Sequence, residues 1–170
     1  MSLEGWSLEG GREGRKERMA TEKKIDELLK IAVTLELEGV EFIQSLDYAT
    51  LCREYNGIGA EWLGEKLRER ITRYLHVFEP AALIHDLRNS RSDGSIFGFH
   101  FANDEFGRNC RRLADAAYPW WSWRRYRARA VARALHALVE SAGGWLAWLE
   151  CFAKNNKSPT EGECNEETDE

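Results

Sequence analysis

The chain contains few of the residues that interrupt or crosslink a polypeptide. Its 170 residues include only three prolines and four cysteines. No two cysteines have the close spacing of a metal knuckle or of a CxxC redox pair. We therefore expect free thiols in a protein made in a reducing compartment. The cysteines are Cys52, Cys110, Cys151 and Cys164.

Long uncharged segments are also missing. None reaches the roughly 20 residues that a membrane-spanning helix needs, so no transmembrane segment is predicted. Residues 1–18 lack the apolar segment of a signal peptide, which predicts synthesis in the cytoplasm. Low hydrophobicity predicts a disordered leader over residues 1–20 and a disordered acidic tail over 155–170. Between them, residues 21–154 have the length of a single domain.

Tryptophan and arginine, in contrast, are abundant. The chain has seven tryptophans, and eight arginines lie between residues 108 and 133, where Asp115 is the only acid. Such a segment in a chain of net charge −5 indicates a local anionic partner, either a phospholipid surface or a nucleic acid. Because no nucleic-acid-binding motif is present, we predict no specific nucleic acid and favour a phospholipid membrane surface.

The periodicity of apolar residues predicts a mainly α fold with a small β-hairpin. Alternation of apolar and polar residues over 32–43 indicates the hairpin, and a continuous helix over 22–37 is the alternative. A short helix is expected to begin at Thr21. A helical, Arg/Trp-rich extension is expected over about 118–154. The other predicted helices cover residues 62–78, 79–89, 97–114 and 124–141, with a short amphipathic segment over 145–152.

The predicted helix over residues 79–89 contains the strongest candidate for chemistry. Its apolar run ends in the pair His85-Asp86. A neutral imidazole can take a proton from water when a second group fixes its tautomer. Asp93 and Asp104 are candidates for that group. Asp104 is favoured because it would project toward His85 if the two helices packed antiparallel.

Two patterns suggest metal binding. Gly57 and Gly59 would let a loop turn its carbonyls toward a hard cation such as Ca²⁺, and Asp86 could add a carboxylate. An ordinary turn is the alternative. His100 and Asp104 are spaced i, i+4, which can build a transition-metal site with His85 and Asp86 as further ligands. Surface hydrogen bonding is the alternative there.

Three segments, taken in order, resemble the phospholipase A2 family, most closely its compact, disulfide-poor branch of parvoviral capsid and phage-type proteins. The segments are Tyr55-x-Gly57-x-Gly59, Ala82-x-Ile84-His85-Asp86 and Asn103-Asp104-Glu105-Phe106. The resemblance covers about residues 52–113. It implies a pair of packed antiparallel helices, followed here by the C-terminal helices.

The resemblance also implies a role for each matched residue. His85 would deprotonate the attacking water, and Asp104 would hold His85 in orientation. The bound Ca²⁺ would polarise the ester carbonyl. Asn89 stands where the family has a tyrosine that braces the orienting aspartate. The implied calcium ligands are the carbonyls of Tyr55, Gly57 and Gly59 and the carboxylate of Asp86.

The resemblance therefore predicts a calcium-dependent, phospholipase A2-like lipid esterase that acts at a membrane surface. A catalytically inactive membrane- or virion-associated module with the same fold is one alternative, and Asn89 favours it. A metal-dependent phosphohydrolase that uses His85, Asp86, His100 and Asp104 is another.

Overall fold

A computed structural model describes residues 10–55 and 75–156 of the chain, with side chains from residue 22 onward. All regular structure in these ranges is helical, which confirms the mainly α prediction. A single-turn 3₁₀ helix, His76–Phe78, precedes the fourth α-helix. The α-helices are α1 (Gly10–Thr34), α2 (Val40–Gln44), α3 (Tyr48–Glu54), α4 (Glu79–Asn89), α5 (Ile96–Ala117), α6 (Trp123–Val139) and α7 (Ala142–Asn156).

The hairpin predicted over residues 32–43 is wrong, because these residues form the end of α1, a turn and α2. The end of α1 is a Schellman motif with Glu36 in the left-handed region, at φ 49°. The Leu37 N–H donates to the Ala32 carbonyl at 2.9 Å, and the Glu36 N–H donates to Val33 at 3.1 Å. The alternating apolar residues thus mark a helix end at which Ala32 and Leu37 enter the core.

Other predicted boundaries differ less. α1 begins at Gly10, within the range predicted as a disordered leader, and not at Thr21. Three ranges lie outside the described residues: 1–9, 56–74 and 157–170. The second of them contains most of the helix predicted over 62–78. The helices predicted over 79–89, 97–114 and 124–141 are confirmed, with ends shifted by a few residues.

Helix α4 is the centre of the core. It packs against α1, α2, α3 and α5, and Leu83, Ile84 and Leu87 are each at most 1% exposed. Its first residue, Glu79, is also buried and accepts a hydrogen bond from Lys24 Nζ at 3.0 Å. A helix enclosed in this way can hold polar side chains away from bulk water. The buried residues around it include Ile25, Leu28, Ile43, Leu51, Phe106, Cys110 and Leu113.

Helices α5 and α6 form the most extensive helix–helix contact among the described residues. The chain turns between them at Pro119, where the sequence predicted a break, and Ser122 caps α6 by accepting from the Arg124 N–H. Asp115 of α5 accepts from Arg125 and Arg129 of α6 at 2.9 and 2.6 Å. These ion pairs hold the two helices face to face, and they hold the pKa of Asp115 at about 2.

Candidate functional site around His85

His85 lies inside the fold and not on its surface. Its side chain is 9% exposed, and its ring centroid is 4.8 Å from that of Phe106 on α5. Burial lowers the pKa of His85 below its ordinary value of 6.5, because the charged imidazolium would lose its hydration. His85 is therefore neutral at physiological pH, and one ring nitrogen carries the proton.

Asn103 of α5 determines which nitrogen that is. The Nδ2 group of Asn103 donates to the carbonyl oxygen of Val139 at 3.2 Å. A carbonyl oxygen can only accept a hydrogen bond. This contact turns Oδ1 of Asn103 toward His85, where it lies 2.9 Å from Nε2. An amide oxygen can only accept, so Nε2 of His85 carries the proton and Nδ1 holds the basic lone pair.

Asn89 lies on the other side of the ring, one helical turn after His85. Its Nδ2 atom donates to Nδ1 of His85 across 3.3 Å, a long contact for a hydrogen bond. The imidazole is thus held between two neutral amides. Neither amide supplies the negative charge that would stabilise a protonated ring.

Asp104 does not hold His85, contrary to the sequence-based expectation. Its Oδ1 atom lies 3.3 Å from Nε2 of His136 on α6, and its side chain is 58% exposed. The reason is helical geometry, because adjacent residues of a helix point about 100° apart. Asn103 faces α4, and Asp104 faces α6.

The proposed calcium ligands are only partly described. Gly57 and Gly59 lie outside the described residues. Tyr55 follows α3, and Asp86 lies on α4. Burial raises the pKa of the Tyr55 phenol, and the negative charges of Glu79 and Asp86 raise it further.

A buried ion pair stands beside this centre. Arg88 of α4 donates from Nε and Nη2 to the two carboxylate oxygens of Glu105, at 3.1 and 3.0 Å. Glu105 is 3% exposed, and the guanidinium carbon of Arg88 lies 4.1 Å from the ring centroid of Phe42. The pair fixes α4 against α5 within one turn of His85. No sequence motif assigns a role to this pair, to Asn103 or to His136.

Exposed aromatic residues gather around the start of α6. Trp120, Trp121 and Trp123 are 60–71% exposed, and Tyr126 is 64% exposed. Arg127 stacks over the Trp123 ring, with its guanidinium carbon 4.9 Å from the ring centroid. We call this set the tryptophan patch. It combines apolar rings with adjacent cationic side chains at the surface.

Among the described residues, no helix combines the length and the apolar character that crossing a bilayer requires. A scan of protein-family models finds no match to this chain, and searches of curated proteins and of solved structures find none either.

Proposed function

We propose that this protein is a calcium-dependent, phospholipase A2-like lipid esterase that acts at the surface of anionic membranes. The observation that carries the proposal is the state of His85. Its Nε2 proton is directed at Asn103, so Nδ1 is the nitrogen available to take a proton from water. A water at Nδ1 would take the place of the 3.3 Å contact with Asn89.

The tryptophan patch supports a membrane surface as the place of action. Indole rings favour the headgroup region of a bilayer, because they combine an apolar body with a polar N–H. The arginines beside them complement the charge of anionic lipids. Trp120 and Trp121 are about 70% exposed, a large apolar area to leave in water without a partner.

A second candidate is a module that binds the same surface without hydrolysing lipid. The neutral partners Asn103 and Asn89 favour it, because a general base works best beside a group that stabilises its protonated form. Both candidates place the same membrane-binding surface at the tryptophan patch, around the start of α6. They differ only in whether His85 performs chemistry.

The test measures fatty-acid release from phosphatidylglycerol vesicles, and sedimentation with the same vesicles in parallel. We expect slow release with Ca²⁺, none with a chelator, and a loss of at least about 100-fold in His85→Gln, the scale of general-base catalysis. The matched control is His76→Gln, because His76 is exposed on the 3₁₀ turn. This control should keep the full rate.

Two results would contradict the proposal in different ways. Sedimentation without release from the unaltered protein would leave the binding module as the function. Release that His85→Gln leaves unchanged would place the chemistry away from His85. Failure to sediment with phosphatidylglycerol vesicles would exclude both candidates.

A further inference from the structure

We propose that α5 and α6 hold a site for a divalent transition metal, such as Zn²⁺, with Asp104, His136 and Glu140 as its ligands. This site is separate from the His85 centre and does not depend on the proposed esterase function. Each residue offers one donor atom, and the three atoms lie within 4.8 Å of one another. An imidazole and two carboxylates are a ligand set that suits zinc.

The spacing of one pair of these side-chain atoms fits metal coordination. Nε2 of His136 and Oδ1 of Asp104 are 3.3 Å apart, but they do not form a hydrogen bond of acceptable geometry. Two ligands at about 2.0–2.1 Å from a tetrahedral zinc ion are separated by about 3.3 Å. The two atoms therefore already stand at the distance of a coordination edge.

Two side-chain atoms of these three residues are buried and lack a hydrogen-bond partner. They are Nε2 of His136 and Oε1 of Glu140. Leaving such atoms unsatisfied costs about 1–3 kcal/mol each, so two of them in neighbouring ligand residues need an explanation. A metal ion between them would satisfy both.

The surroundings orient these ligands. Nδ1 of His100 lies 2.9 Å from Oε2 of Glu140, which leaves Oε1 of Glu140 for the metal. Metal-ligating carboxylates are commonly held in this way by an outer partner. Gly107 makes room for the imidazole, because a Cβ there would lie 2.9 Å from the His136 ring.

A cleft of about 410 Å³ adjoins the proposed metal, and Asp104 and His136 form part of its wall. Three protein ligands would leave a fourth position open toward this cleft. Among the described residues, Arg111 and Arg133 make no ion pair with an acid. We infer that the fourth ligand is a phosphate group, because arginine side chains bind phosphate oxygens well. The arginines of the cleft are Arg108, Arg111, Arg129 and Arg133.

The experiment uses the full chain, freed of metal with a chelator and titrated with Co²⁺ and Zn²⁺. We expect about one equivalent of metal to bind and the Co²⁺ complex to show a tetrahedral spectrum. The spectrum should lack a thiolate charge-transfer band, because no cysteine is a ligand. His136→Gln and Asp104→Asn should each weaken binding by about 100-fold. His100→Gln should weaken it by about tenfold, because His100 only positions Glu140. His76→Gln is the matched control and should bind normally.

Inorganic phosphate provides the second readout. It should change the cobalt spectrum of the unaltered protein, and Arg133→Gln should raise the phosphate concentration required by about tenfold while cobalt still binds. Cobalt affinity that is unchanged in both His136→Gln and Asp104→Asn would overturn the metal site. A cobalt spectrum that does not respond to phosphate would overturn the assignment of the fourth ligand.

Discussion

Arg88→Met is expected to lower the free energy of unfolding by about 3 kcal/mol. The change removes the guanidinium that bonds both oxygens of Glu105, and the remaining carboxylate is only 3% exposed. A buried charge that loses its partner costs about 3–5 kcal/mol, and we take the lower end because Arg88 is itself 25% exposed. Equilibrium urea unfolding, followed by circular dichroism, measures the loss.

Two variants control this prediction. Arg88→Met combined with Glu105→Gln should recover much of the stability, because no buried charge is then left alone. Arg108→Met removes a comparable ion pair, that with Glu38, at a site where both side chains are more than a third exposed. It should cost less than about 1 kcal/mol. Equal losses in Arg88→Met and Arg108→Met would show that burial of Glu105 does not determine the cost.

Asn103→Asp is expected to raise fatty-acid release from phosphatidylglycerol vesicles by about 100-fold. The substitution places a carboxylate where an amide oxygen now lies 2.9 Å from Nε2 of His85. A carboxylate would stabilise the imidazolium that forms when His85 accepts a proton, and such assistance contributes about 10²–10⁴-fold. The new carboxylate also faces the Val139 carbonyl, so the variant should lose about 1–3 kcal/mol of stability.

Asn109→Asp is the matched control for this gain. Asn109 is buried on the same helix, but it bonds to the Glu38 backbone and not to a histidine. It should lose stability and gain no activity. If Asn103→Asp stays folded, sediments with vesicles and releases no more fatty acid than the unaltered protein, His85 is not a catalytic base.

The sequence pattern favours Asn103 over Asp104 as the residue that faces His85. Phe99, Phe106 and Cys110 form an apolar stripe at helical spacing in the sequence, and Asn103 falls on that stripe at i+4 from Phe99 and i−3 from Phe106. Asp104 lies one step away from it. The stripe therefore indicates Asn103 as the polar residue that faces α4, whereas the prediction favoured Asp104 on the expectation that it would project toward His85 from an antiparallel helix.

Other features depended on contacts that no local pattern shows. His136 and Glu140 approach Asp104 only because α5 and α6 pack together over their length. The hairpin prediction failed because a Schellman motif places apolar residues on both sides of Glu36, which imitates alternation. The α4 prediction succeeded because a first-turn proline and a continuous apolar run agree with a buried helix.

The most direct test of the account is the ¹⁵N NMR spectrum of the His85 ring between about pH 5 and 8, the range in which an ordinary histidine titrates. Comparison with His85→Gln assigns the signals. We predict a neutral ring with the proton on Nε2 and no proton on Nδ1, and a pKa below 6.5 for His85. A ring that becomes doubly protonated near pH 6.5, or that exchanges freely between its two tautomers, would contradict the placement of His85 between Asn103 and Asn89.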